Sequence, residues 1–285
     1  MSAILLLVMS GYSVLAANSL AVDAASACAI QDAGKVACWG LRGTHVPVEV
    51  PELDGVVGLA AGQTFTCAWT SKGRVACWGE DPKQKFGPRF EDVVQVSVGG
   101  GMACGLHATG LISCWVEGSH DVRAVPGVTD AEELAGAFSG GAELLCYRSR
   151  SGGVSCGNSV TPFKAIPELA GATSLAGAGC RYAALLPGHR LATWVGWTGR
   201  PMPVFHEDLE AERVFVGGHL NGAAALCVVG AQSQCWTWGS EPGLALSKAP
   251  PLPAGVRELS TDAEATCVRV GAGVQCWGRV GRLGD

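Results

Sequence analysis

Cysteine recurs in this chain at a fixed rhythm, and that rhythm limits the possible folds more than any other feature. Cys28 and Cys38 stand ten residues apart, as do Cys67 and Cys77, Cys104 and Cys114, and Cys146 and Cys156. Cys227 and Cys235 are eight apart and Cys267 and Cys276 nine, so of the 13 cysteines only Cys180 falls outside a pair. Each ten-spaced pair brackets a turn signal: Asp32-Ala33-Gly34, Ser71-Lys72-Gly73, Ala108-Thr109-Gly110 and Ser151-Gly152-Gly153. Apolar alternation flanks the turns, as in Gly73-Arg74-Val75-Ala76-Cys77-Trp78, which is the pattern of a β-hairpin. Opposed residues of an antiparallel pair lie about 4.5 to 5.5 Å apart at Cα, and a disulfide spans roughly 4.4 to 6.8 Å, so a cross-strand bridge fits. The shorter spacings follow if the turn contracts while the cysteines stay opposed. Six pairs of reduced thiols are the rival reading. Zinc is a third, although the Cys-x2–4-Cys knuckles it favours are missing.

The pairs sit inside a longer repeat. First cysteines fall at positions 28, 67, 104, 146, 227 and 267, and the interval of 81 from 146 to 227 is twice the usual one. A degenerate copy fills the gap: His189-Arg190-Leu191-Ala192-Thr193-Trp194 aligns with residues 73–78, which puts Ala183 and Thr193 at the two cysteine positions. Losing both partners together is what a covalent pair predicts. Seven copies result. Trp follows the second cysteine position in six of them, at Trp39, Trp78, Trp115, Trp194, Trp236 and Trp277, with Gly157 in the fourth. Side chains alternate across a strand, so bridge and ring fall on opposite sheet faces.

Upstream of most hairpins runs a small-residue strand ending in Gly, such as Val56–Gly62 and Val94–Gly99, suited to a crowded axis. Downstream lies a short Pro-bearing segment, Val46–Val50 or Met202–Phe205, suited to an outer edge where Pro is tolerated. Three to four short strands per ~40 residues, seven times over, predict an all-β, seven-bladed β-propeller with an intra-blade disulfide in six blades. A stacked solenoid is the alternative, and it needs polar caps at both ends. The motif Cys-Ala-x4-Gly-x-Val-x-Cys-Trp-Gly, preceded by Ala-Ala-Gly and clearest at residues 28–40 and 67–79, resembles the regulator of chromosome condensation repeat in its secreted, cysteine-bearing bacterial form. The closing Gly281-Arg282-Leu283-Gly284-Asp285 is similar to that repeat's Gly-Gln-Leu-Gly turn. The resemblance implies the propeller and leaves function open, because the family spans nucleotide exchange on a small GTPase, light sensing, ligase accessory domains and β-lactamase inhibition.

The N-terminus supports two readings. Ala3–Met9 resembles the apolar core of a signal peptide with Val14-Leu15-Ala16 as cleavage site, which makes residues 1–16 a leader and 17–285 the propeller. Residues 4–9 could instead supply the outer strand that the seventh copy lacks, a closing strand. No apolar run reaches the ~18 residues of a membrane span. With 20 Lys+Arg against 25 Asp+Glu and no basic run, the chain is not expected to bind nucleic acid.

Catalytic signatures are sparse. The six histidines, His45, His107, His120, His189, His206 and His219, form no metal-ligand spacing and read as surface or turn residues. Glu207, Asp208, Glu210 and Glu212 read as a solvated loop, and Gly99-Gly100-Gly101 lacks the Lys-Ser/Thr of a phosphate loop. Cys180 is a reactive-thiol candidate or a buried cysteine. Trp69, Trp197 and Trp238 stand outside the repeat position and are expected in packing or surface contacts. No catalytic residue, metal or cofactor is assigned, and the chain is not expected to be an enzyme. What remains is the loop before each hairpin: Gln63, Phe65, Met102, Glu143, Arg181, Tyr182, His219, Asn221 and Glu264 are the candidate binding residues, with side chains of the types that protein interfaces favour. The expectation is a secreted or surface-exposed, monomeric, non-catalytic scaffold for a protein ligand. The alternatives are a cell-envelope enzyme using loop carboxylates on glycans and a GTPase exchange factor-like regulator.

Overall fold

The computed structural model describes residues 18–23, 26–40, 46–136, 145–157, 162–196, 202–218, 224–231, 233–238, 247–248, 251–262 and 264–278. Seven antiparallel sheets follow one another along the chain. Blade 1 holds β1 (Leu20–Val22), β2 (Ala27–Ile30), β3 (Val36–Trp39) and β4 (Val48–Glu49). Blade 2 holds β5 (Val56–Ala61), β6 (Thr66–Thr70), β7 (Val75–Trp78) and β8 (Lys85–Phe86). In blade 3 come β9 (Val93–Val98), β10 (Met102–His107), β11 (Ile112–Val116) and β12 (Arg123–Ala124). Blade 4 has β13 (Ala131–Ala135), β14 (Leu145–Ser149), β15 (Val154–Gly157) and β16 (Lys164–Ala165). Blade 5 has β17 (Ser174–Ala178), β18 (Arg181–Leu186), β19 (Arg190–Val195) and β20 (Val204–Glu210). Blade 6 has β21 (Arg213–Gly218), β22 (Ala224–Val229), β23 (Gln234–Trp238) and β24 (Ser247–Lys248). Blade 7 shows β25 (Val256–Thr261), β26 (Ala265–Val270) and β27 (Gly273–Gly278). The first strands contact one another in order, and β1 meets β25, which closes the ring.

The hairpin register is the one the cysteine spacing predicts. Cys28 faces Cys38, Cys67 faces Cys77, Cys104 faces Cys114 and Cys146 faces Cys156. The eight- and nine-spaced pairs, Cys227–Cys235 and Cys267–Cys276, are opposed in the same way. All six are disulfides with Cα separations of 4.0 to 4.1 Å. That is closer than the usual lower bound near 4.4 Å, as fits directly opposed residues at the narrow sites of an antiparallel ladder. In blade 5 Ala183 faces Thr193, so the degenerate copy keeps the register without the bond.

Disulfide and Trp do lie on opposite faces, and this organises the core. The cystine of one blade shares a buried cluster with the Trp face of the next: Cys28 and Cys38 with Trp78, Cys67 and Cys77 with Trp115, Cys146 and Cys156 with Trp194. Around the rest of the ring, the blade 6 cystine packs near Trp277 and the blade 7 cystine near Trp39. Blade 4 lacks the Trp because a Cβ at Gly157 would press on the Phe163 ring, which takes up that volume beside Tyr147. Trp69 and Trp238 are buried packing residues, and Trp197 lies outside the described residues. Gly58 is required by one of these rings, since a Cβ there would land inside the Trp69 indole.

The two N-terminal readings fall on residues 1–16, and the closing Gly281–Asp285 turn on the last residues. Both lie outside the described residues. Among the described residues no helix is long and apolar enough to cross a membrane.

Candidate functional site

The inner strands of all seven blades line a central cavity of about 270 Å³. One position recurs on these strands, two residues before the residue that faces the first cysteine, and at Gln95, Glu133, Ser174 and Arg213 it lines the cavity. Around the ring that position holds Ser19, Gly58, Gln95, Glu133, Ser174, Arg213 and Glu258. Several of these side chains reach sideways to the next blade. Gln95 accepts from the Leu134 amide at 2.8 Å and donates Nε2 to the Leu134 carbonyl at 3.1 Å. Glu133 accepts from Arg148 Nε at 2.9 Å, from Ser174 Oγ at 3.3 Å and from the Leu175 amide. Glu258 does the same across the closure of the ring, accepting from the amide and hydroxyl of Ser19 and from the Leu20 amide. Arg213 donates to the Arg257 carbonyl and lies over the Phe215 ring at 5.0 Å. In blade 2 the glycine admits the Trp69 ring instead.

Electrostatics at this wall follow from burial. The Glu133 carboxyl is pushed above its usual value by desolvation, with the Arg148 guanidinium pulling it back. Arg148 also holds Glu132 at 2.7 Å. Burial lowers the Arg213 guanidinium. The inner-strand carboxylates Glu133 and Glu258 therefore spend their lone pairs joining blades, an arrangement that suits a stiff hub.

One further polar line reaches across blade 3. Asp92 Oδ1 lies 2.8 Å from His107 Nδ1, and His107 Nε2 lies 3.0 Å from Ser113 Oγ. His107, expected at the surface, is only 9 % exposed, with its ring edge-on to Phe90 at 4.9 Å. The order Asp-His-Ser is that of a hydrolytic triad. Here, however, Ser113 sits in the regular strand β11, paired on both sides, so the nearby amides are committed to the ladder rather than turned toward an oxyanion. The line ties the segment entering blade 3 to its hairpin.

The expected binding loops divide. Gln63 is half-buried at the cavity wall, Met102 is half-buried against the cluster between blades 3 and 4, and Glu264 is exposed with its amide donating to Asp262 Oδ1 at 2.9 Å. Three others lie inside and are not surface residues. Phe65 packs on Phe86 at 5.4 Å, Arg181 is 2 % exposed beside the buried Cys180, and Tyr182 stacks on Trp194 at 5.6 Å. The reason is strand direction. Tyr182 pairs with Trp194 and so shares the Trp face, which the neighbouring blade covers. Glu143, His219 and Asn221 lie outside the described residues.

The outer edge of blade 5, expected at Met202–Phe205, runs further than the sequence reading gave. Among the described residues, the outer strands of blades 1, 2, 3, 4 and 6 are two residues long, whereas β20 has seven. It pairs with β19 over Val204, Phe205 and His206, bulges through residues 207–209, and rejoins where Glu210 faces Arg190. His206 Nε2 lies 2.8 Å from Thr193 Oγ1, and burial lowers the His206 pKa. Of the acidic residues expected in a loop, Glu207, Asp208 and Glu210 thus belong to a strand, and Glu212 lies just beyond it. The outer-edge reading of Met202–Phe205 stops short of them.

Six four-stranded sheets and a seventh with three described strands, closed into a ring, define a seven-bladed β-propeller stapled within six of its blades. No protein-family model and no curated protein matches the chain. Solved structures do. Human WBSCR16 aligns at 14 % identity with a TM-score of 0.64, over 85 % of this chain and 83 % of that one. Prp20p of Saccharomyces cerevisiae, described with its binding to Gsp1p and histones, aligns at 14 % identity and a TM-score of 0.62, over 85 % of this chain and 80 % of that one. The CRINKLY ectodomain of the Arabidopsis thaliana receptor kinase ACR4 aligns at 18 % identity and a TM-score of 0.56, over 93 % and 95 % of the two chains. Prp20 is a yeast RCC1, so RCC1-type propellers share this fold.

Proposed function

We propose that this chain is a non-catalytic propeller scaffold of the secreted or surface-exposed bacterial type, which holds a protein ligand on its outer surface. The observation that carries the reading is the set of six intra-blade disulfides, which belong to an oxidising compartment. Two features support it further. The ring of polar side chains is spent on blade-to-blade bonds, and a receptor ectodomain stands among the structural neighbours. Neighbours also include an RCC1 solved bound to Kap60, a propeller engaging another protein. An exchange-factor role inside cells predicts reduced thiols and is disfavoured by the same bridges.

Two measurements test the proposal on protein isolated without reductant. Alkylation should leave the twelve bridged cysteines unmodified. Crosslinking in the native extracellular milieu should then return a saturable partner. Reactive thiols at all the paired positions, or crosslinking that returns nothing above background, would refute it.

A further inference from the structure

Blade 5 departs from the other blades in several ways at one place. It lacks the cystine, it has the seven-residue outer strand, and around that strand it exposes Met202 (81 %), Val204 (44 %) and Phe205 (41 %). Two anchors hold β20 in place: His206 on Thr193, and Leu209 on the cluster between blades 5 and 6. As the last strand of its sheet, β20 has no described strand on its outer side. An open, anchored edge with apolar side chains is a template for strand addition.

Charge selects the occupant. Glu207, Asp208, Glu210 and Glu212 are all exposed at or just beyond this edge, and none takes part in an ion pair among the described residues. A second copy would bring the same carboxylates against these and be repelled. We infer that the β20 edge docks an extended peptide segment of a partner, with alternating apolar residues that pair along Val204–His206 and basic residues that meet the carboxylates of residues 207–212. Main-chain hydrogen bonds supply the affinity, and the charges fix direction and raise the association rate. The inference deepens the scaffold reading, on which it rests, by naming the surface and the partner's chemistry.

The test uses a fluorescein-labelled peptide, Thr-Val-Thr-Val-Lys-Lys-Lys, and the same peptide with Glu in place of Lys. Fluorescence anisotropy should show saturable binding of the basic peptide, weakening with salt, and none of the acidic one. The exposed double substitution Glu207→Lys with Asp208→Lys should weaken binding at least about tenfold. Hydrogen exchange should gain protection at residues 204–207. An unchanged affinity of the double variant, protection on another blade's outer strand, or no binding of the basic peptide would overturn the inference. So would concentration-dependent dimerisation abolished by Val204→Asp, which would assign the edge to a second copy. If crosslinking in the native milieu returns a partner that the double variant still holds, the docking edge fails while the scaffold reading stands.

Discussion

Blade 5 offers a direct test of the register, because Ala183 and Thr193 stand opposed where other blades carry a cystine. Replacing both, Ala183→Cys with Thr193→Cys, should close a seventh bridge without backbone movement. Closing a loop of ten residues removes about 9 cal/mol/K from the unfolded chain in the entropic treatment, or about 2.7 kcal/mol at 25 °C. The substitution also removes the 2.8 Å contact of Thr193 Oγ1 with His206, worth about 1 kcal/mol. The net gain is therefore about 1.5 to 2 kcal/mol. An unfolding entropy near 2.1 cal/mol/K per residue gives about 0.6 kcal/mol/K for a chain of this length, so the melting temperature should rise by about 3 °C. Calorimetry under oxidising conditions measures the shift, and peptide mapping verifies the 183–193 bond. Should the new cysteines remain a dithiol while the other six bridges are closed, the pairing of β18 with β19 is wrong. A formed bond that lowered the melting temperature would refute the energetic reasoning.

Three other outcomes follow from the packing and the charges. Gly58→Ala should destabilise by about 1 to 3 kcal/mol in chemical denaturation, since its methyl group intrudes on the Trp69 ring. Glu133→Gln leaves Arg148 with Glu132 but removes the buried charge partner, so it should cost about 1 to 3 kcal/mol, less than the loss of a buried pair with no substitute. His206 is neutral in the fold because burial lowers its pKa, so the unfolded chain takes up the proton first as pH falls. Its contribution to stability is full above the unfolded value near 6.5 and is lost as pH falls from there through the lower folded value, and His206→Gln should flatten that part of a urea-midpoint-versus-pH curve.

Much of the architecture was readable in the chain because its signals are local. A pair of cysteines eight to ten residues apart names two opposed positions, and strand alternation then assigns the Trp after the second cysteine to the other face. Even the lost pair at Ala183 and Thr193 is in register. The polar ring was not readable. Glu258 and Ser19 are 239 residues apart in sequence, and their contact exists only once the circle closes. Phe65, Arg181 and Tyr182 were misjudged for another reason: nearness to a turn says nothing about which way a side chain points until the register is known. In β20 the carboxylate-rich run concealed a strand, because a bulge breaks the two-residue alternation that would reveal it.

Every cystine joins a cysteine to the next one along the chain within its own hairpin, and none crosses from blade to blade. A chain that emerges end-first into oxidising surroundings could therefore lock each module as soon as about forty residues are free, without waiting for the far end and without reshuffling mismatched sulfurs. Circularisation comes last and is non-covalent, carried by Glu258 meeting Ser19 and Leu20. Biogenesis of such a ring resembles stringing pre-fastened beads whose clasp snaps shut only after the final one arrives.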